Sequence, residues 1–182
     1  MQQSEEFEEN NKFASFWLNI YFVRARLAML SGKTILKKMG NSITIPTHQL
    51  GARPIALLFC MSECPDCQAF QPKLEAATEN LPVGSADIIV VSSEKDAKTQ
   101  FEHVSNNFKR DDWSTIPLDD ELTIELKRNF GAFAGSEAEA VGVKRRAGIP
   151  ALYTSHDGGK TWSGTPLNEN ASVEDITKAL AP

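Results

Sequence analysis

A chain of 182 residues, 41% hydrophobic and 24% charged, is long enough for one domain with a real core and has the composition of a soluble globular protein. Its formal net charge of -5 and its short basic clusters, Lys37-Lys38 and Lys144-Arg145-Arg146, exclude nucleic acid as a main partner, because no basic stripe exists to displace counterions from a phosphate backbone. The three cysteines, Cys60, Cys64 and Cys67, lie too close together to staple distant parts of a fold, which fits a reducing compartment better than secretion.

Residues 1–12 are acidic and polar and predict a disordered start. The apolar, aromatic stretch 13–23 follows, shorter than the ~20 residues of an unaided membrane span. Acids before it and Arg24 and Arg26 after it are the reverse of a secretory signal, and a mitochondrial presequence avoids acids. Three readings stay open: a helix packing on the domain or a partner, a membrane contact with Arg24 and Arg26 on the cytosolic side, or a natural start at Met29. Residues 1–30 are therefore set apart as an N-terminal extension and 31–182 as the domain.

The segment 33–46 predicts a hairpin around Met39-Gly40-Asn41. The continuous apolar run 55–61 predicts a central strand buried on both faces. Cys64-Pro65-Asp66-Cys67 comes next and opens a helix reaching about Asn80, with Pro72 expected to kink it. A second buried strand spans 86–92. Residues 94–109 predict a helix capped by Ser93, with Phe101, Val104 and Phe108 on its inner face and His103 turned to solvent. A loop or short strand covers 111–120. Residues 121–130 predict a helix closed by Gly131. The stretch 132–142 reads as an inserted loop or short helix. Gly148-Ile149-Pro150 leads into a strand over 151–154, and Asp157-Gly158-Gly159 predicts a tight turn to a partner strand over 160–163. The last helix, 173–180, has Ser172 as its N-cap and Asp175 three residues on. This order makes an α/β protein, a sheet with helices on its faces, and not a repeat.

The chemistry concentrates at Cys64 and Cys67. A strand-to-helix junction offers a thiol the unpaired N–H groups and partial positive charge of a helix start, which favour thiolate. The two-residue spacing lets the second thiol attack a mixed disulfide made by the first and close a small ring. Cys60, late in the strand, reads as a core thiol. His48, His103 and His156 carry no metal-ligand spacing, and neither a Gly-rich phosphate loop nor a Ser/His/Asp arrangement is present.

Three segments carry a resemblance. Cys64-Pro65-Asp66-Cys67 with Phe70 and Pro72 is similar to a Cys-x-x-Cys-x-x-Phe-x-Pro pattern. Trp113-Ser114-Thr115-Ile116-Pro117-Leu118-Asp119 is similar to Trp-x-x-Ile-Pro-Phe-Asp, and Gly148-Ile149-Pro150-Ala151-Leu152 to a segment that carries a cis-proline. Together, in this order, they resemble the tryparedoxin and nucleoredoxin branch of the thioredoxin superfamily, over roughly residues 33–163. The resemblance implies a thioredoxin-like fold, a central mixed β-sheet flanked by helices with an N-terminal extension. It implies Cys64 as nucleophile, Cys67 as resolving thiol and a cis Pro150 beside them. It also implies a substrate groove formed by Glu63, Pro65, Asp66, Trp113, Ile149 and Pro150, with the Ile149 backbone open to pairing with an extended substrate.

The function expected is therefore a thiol–disulfide oxidoreductase that reduces protein disulfides, peroxiredoxin-type peroxidases among them. Its electrons would come from a low-molecular-weight dithiol or a reductase, and its cycle would use no metal and no organic cofactor. The expected location is the cytoplasm, or a membrane anchor facing the cytosol through residues 13–23. An adaptor module with nearly inert thiols is the rival reading. Two departures bear on reactivity. Glu63 stands where the family has Trp, and Asp66 where it has a second Pro. Both carboxylates are expected to weaken Cys64 as a nucleophile and to repel acidic substrates. The family's charged, aromatic C-terminal segment is not visible after Gly164.

Overall fold

The computed structural model describes Leu30, residues 34–37, 42–44, 53–110 and 113–182. The readings made for residues 1–29 and for the turn Met39-Gly40-Asn41 lie outside the described residues. The strands are β1 (Thr34–Lys37), β2 (Ser42–Thr44), β3 (Ile55–Cys60), β4 (Asp87–Ser92), β5 (Ser114–Thr115) and β6 (Ala151–Ser155). Among the described residues they form one six-stranded mixed sheet in the order β2-β1-β5-β4-β3-β6. The expected hairpin is present as β1 and β2, antiparallel with Ile35 opposite Ile43. At the centre β3 runs parallel to β4, with Leu58 opposite Val90, and antiparallel to β6, with Leu58 opposite Leu152.

Strand β3 is central because both of its faces are apolar. Side chains alternate across a strand, so Ala56, Leu58 and Cys60 enter one core while Ile55, Leu57 and Phe59 enter the other. The first core is covered by α1 (Pro65–Glu79), by Val104 of α2 (Ala97–Asn107) and by α5 (Val173–Leu180). Leu74 of α1 and Ile176 and Leu180 of α5 are fully enclosed there. Burying such a side chain contributes about 1.5–3 kcal/mol. The second core lies under α3 (Glu121–Phe130), whose Leu122 and Leu126 face Phe59 and Tyr153. Leu30 and Ile35 also belong to this core, so the chain is already packed on the domain at residue 30.

Local signals explain most element ends. Gly131 closes α3 in the left-handed conformation, φ 62°, and its N–H donates to the Lys127 carbonyl. Ser172 and Asp175 cap α5 reciprocally, as expected. Helix α1 continues past Pro72 to Glu79. It has no basic residue in its last turn, and Arg110 supplies that charge from elsewhere, donating to the Thr78 and Leu81 carbonyls at 2.6 and 3.2 Å.

Three expectations need correction. Helix α2 starts at Ala97, with Asp96 rather than Ser93 as its cap, because the Asp96 carboxylate accepts the Thr99 N–H at 2.8 Å. Its inner face is Gln100, His103 and Val104, while Phe101 is 46% exposed. Gln100 is buried because its amide works as a clamp. It donates to Thr115 Oγ1 and the Ile116 carbonyl at 2.8 and 2.6 Å and accepts the Leu118 N–H at 3.1 Å, fixing β5. The third correction concerns 160–163, which is not a strand. Asp157 takes up the Thr161 N–H and hydroxyl, and Gly158 and Gly159 both have positive φ, 75° and 87°. The pairing falls instead to Leu167, which bridges Leu152.

The stretch 132–142 does hold a short helix, α4 (Ala138–Val141), preceded by a 3-10 turn at Gly135–Glu137. It is tied into the fold. Ala132 and Phe133 are fully buried, and Glu137 takes the Lys127 ammonium.

Candidate active site

Cys64 is the N-cap of α1, with extended backbone at φ -80° and ψ 118°. Its Sγ accepts the Cys67 N–H at 3.4 Å, so the sulfur fills the place that a Ser or Asp oxygen takes at most helix starts. Pro65 follows at the first helical position, where its missing N–H costs nothing. The same Sγ donates to the Ile149 carbonyl at 3.6 Å. The structure thus brings Cys64, Cys67 and Ile149 together. The Ile149–Pro150 bond is cis, as the resemblance implies. The loop before the thiol is held by Gln68, whose side-chain amide donates to the Ser62 carbonyl at 2.8 Å.

The two thiols differ in access. Cys64 is partly exposed; Cys67 is buried beneath it, and Cys60 is buried in β3. Burial, with the neighbouring Cys60 adding to it, pushes the Cys67 thiol far above the ordinary range. Burial and then the Glu94 carboxylate push Cys60 up as well.

Sequence reasoning missed Glu94 and His103. Glu94 is 7% exposed just past the end of β4, level with the thiols, and its Oε1 accepts the Ser62 N–H at 2.5 Å. His103, expected to face solvent, is 5% exposed on the inner face of α2. Its Nδ1 lies 3.1 Å from Glu94 Oε1 but out of line for a hydrogen bond. Burial pulls the imidazole below its ordinary value of 6.5, against the pull of Glu94 in the other direction. The signal that could have found it is the spacing Gln100-His103-Val104, the true inner stripe of that helix.

Of the remaining groove residues, Glu63, Pro65 and Asp66 are exposed around Cys64, and Ile149 is half-buried. Glu63 sits 3.7 Å from Lys95 at the surface. Trp113 is a correction. It is 1% exposed and stacked on Phe108 at 4.2 Å, so it fills the first core and does not line the surface beside the thiols. A separate open cleft lies at the C-terminal end of α3, lined by Asn129, Phe130, Arg146, Tyr153 and Trp162, and it includes none of the thiol-site residues. Among the described residues no cluster of His, Cys, Asp or Glu could hold a metal ion, and no helix is long and apolar enough to cross a membrane.

This arrangement of strand, thiol pair, helix and opposing cis-proline can be set beside known proteins. A family model described as thioredoxin-like matches residues 51–137. The match covers just under half of the chain. Its fold is that of solved thioredoxins and tryparedoxins. Thioredoxin from Wuchereria bancrofti superposes with a TM-score of 0.55 at 21% identity, over 82% of this chain and 88% of that one. Tryparedoxin from Trypanosoma brucei gives 0.55 at 22%, over 76% and 85%. A tryparedoxin II solved in complex with glutathionylspermidine gives 0.54 at 18%, over 74% and 81%. No curated protein matches the chain by sequence. The thioredoxin-like match, which takes in both thiols, supports a function of the thiol-oxidoreductase kind.

Proposed function

We propose that the protein is a tryparedoxin-like dithiol oxidoreductase that reduces protein disulfides. The observation that carries this reading is the position of Cys64 Sγ, partly exposed at the start of α1 with Cys67 buried behind it and the Ile149 carbonyl alongside. A helix start favours negative charge on the capping atom, which is what a sulfur nucleophile needs. Cys64 attacks a substrate disulfide and forms a mixed disulfide. Cys67 then attacks Cys64 Sγ and releases the reduced substrate thiol.

The oxidised pair is returned to dithiol by a low-molecular-weight dithiol or a reductase. The glutathionylspermidine held by one tryparedoxin of this fold supports the small-thiol class of donor. The protein substrates are disulfides presented on extended backbone, peroxiredoxin-type peroxidases among them. The chain works in the cytoplasm, with or without membrane contact through residues 13–23, and fractionation of cells expressing it with and without residues 1–28 separates these arrangements.

The test of the activity is turnover of an insulin or peroxiredoxin disulfide with a small dithiol as donor. Wild type should turn over, Cys64→Ser should be inactive, and Cys67→Ser should accumulate a mixed disulfide visible by mass. A wild-type protein that folds but shows neither turnover nor adduct would leave only the adaptor reading.

A further inference from the structure

We propose that His103, beside the Glu94 carboxylate, is the proton acceptor that frees the buried Cys67 thiol to attack the mixed disulfide. The proposal rests on the dithiol reading above and adds to it the group that drives the resolving step. Cys67 cannot ionise readily where it lies, because an enclosed thiolate is poorly solvated. A base must be close by, and the carboxylates Glu63 and Asp66 are exposed at the surface while Cys67 is buried. His103 and Cys67 instead border the same small void of about 10 Å³, the least that holds one water, with Gln71 and Cys60 beside them and Leu58, Phe70, Phe108 and Pro150 as its apolar wall.

His103 is suited to the task by its surroundings. It is among the buried side chains whose polar atom has no aligned hydrogen-bond partner, and the carboxylate 3.1 Å from Nδ1 favours a proton on that nitrogen and leaves the other basic. Glu94 is itself anchored by the Ser62 N–H, so the pair is fixed to the backbone that carries Cys64. The titratable groups around the imidazole are Glu94 from the end of β4, beside Nδ1, and Cys60 from β3 and Cys67 from α1, which line the same void. The Phe108 ring lies tilted against the imidazole, with centroids 5.4 Å apart. Lys98 and Glu102, on the outer side of α2, pair with each other at the surface. The Lys127 ammonium acts on Cys60, while Glu94 is the charge that acts on the imidazole.

The Cys67 thiol gives its proton to the imidazole, directly or through one water. Its sulfur bonds to Cys64 Sγ, the bond between Cys64 and the substrate sulfur breaks, and the electron pair leaves with the substrate thiolate. The substrate is reduced by two electrons and the Cys64–Cys67 pair is oxidised. Glu94 stabilises the imidazolium until the proton reaches solvent, and the external dithiol restores the pair.

The experiment is the reaction of the reduced full-length chain with Ellman's reagent, followed from pH 4.5 to 8. The first thionitrobenzoate reports attack by Cys64, and the second reports resolution by Cys67. In wild type the second phase should slow below an inflection lying under the ordinary histidine value of ~6.5. His103→Gln keeps a polar side chain but cannot titrate; its first phase should be unchanged, and its second should be slower by ~10-fold or more and lack the inflection. Glu94→Gln should move the inflection to lower pH, since the carboxylate holds the imidazole's proton. A wild-type second phase with no such inflection overturns the proposal without any variant. So does a folded His103→Gln protein that resolves at the wild-type rate. Absence of the first phase, with no adduct in Cys67→Ser, instead removes the dithiol reading and the proposal with it.

Discussion

Cys64 Sγ and the Ile149 carbonyl oxygen lie 3.6 Å apart, although 85 residues of chain separate them. The contact joins the start of α1 to the entry of β6 and leaves one side of the sulfur open, while Cys60 and Cys67 are enclosed. Access should therefore decide which thiol reacts. Brief treatment of the folded, reduced protein with iodoacetamide should give a single adduct, on Cys64, and further adducts only after denaturation. Peptide mass mapping that found Cys60 or Cys67 labelled at a comparable rate would contradict their burial.

Glu63 governs charge at the mouth of the site. Its pair with Lys95 spans 3.7 Å between well-exposed side chains and contributes little to stability. Its carboxylate should instead slow the approach of anionic disulfides. Replacing Glu63 by Gln should raise the first-phase rate with the anionic Ellman's reagent by up to ~5-fold at low salt, with a smaller gain at high salt. A neutral disulfide such as hydroxyethyl disulfide should respond less, and equal gains for both reagents would point to shape rather than charge.

His103 also links stability to pH. Its folded value lies below the ordinary 6.5, so the unfolded chain binds more protons in the window between the two. Stability from this group is complete above pH ~6.5 and is lost as pH falls toward the folded value. Urea midpoints for wild type should drop between pH 7 and pH 5, and His103→Gln should flatten that part of the curve. At lower pH, Asp157 and Asp175 take over. Hydrogen bonds from Thr161 and Ser155 hold Asp157 below its ordinary value against burial, and those from Ser172 do the same for Asp175, so their contributions fade as pH falls below ~3.8.

Lys127 places an ammonium in the second core's boundary, 3% exposed, with Glu137 as its ion-pair partner. Glu137 also accepts the Ala134 N–H at 3.1 Å. Removing the acid strands a buried charge, so Glu137→Ala should cost about 3 kcal/mol, well above a surface substitution. Lys127→Met should cost less, because it removes the charge along with its partner's duty. Denaturant titration of both variants checks the order, and a Glu137→Ala protein as stable as wild type would mean that water solvates Lys127.

Much of this architecture is legible from residue types. The run 55–60 announces a central strand because both its faces are apolar, and Gly131 announces the end of α3 because only a left-handed residue closes that turn. The helix that opens at the thiol pair follows from the apolar strand before it, and the cis bond at Pro150 is what the family resemblance implies. What stays hidden depends on partners distant in sequence. The expected stripe Phe101-Val104-Phe108 leaves out Gln100, whose clamp on Thr115 and Ile116 goes with an α2 that turns His103 inward and Phe101 outward. Trp113 reads as a groove aromatic until Phe108 is found stacked upon it. The strand expected at 160–163 has suitable side chains, but the Asp157 carboxylate claims the Thr161 N–H first.

The substitution of Leu167 for that missing strand has an effect on how copies of the protein meet. Leu152 exchanges both of its outward backbone hydrogen bonds with Leu167, at 2.8 and 3.0 Å. Thr154 has its N–H taken by Ser163 Oγ and its carbonyl by the Ser163 N–H. Every second residue of β6 is thus satisfied on the side away from β3 by the chain's own tail, in an irregular ribbon that offers no straight edge of its own. An uncovered border strand would invite neighbouring copies to add theirs, and here the polymerisation route along this border is closed before it starts.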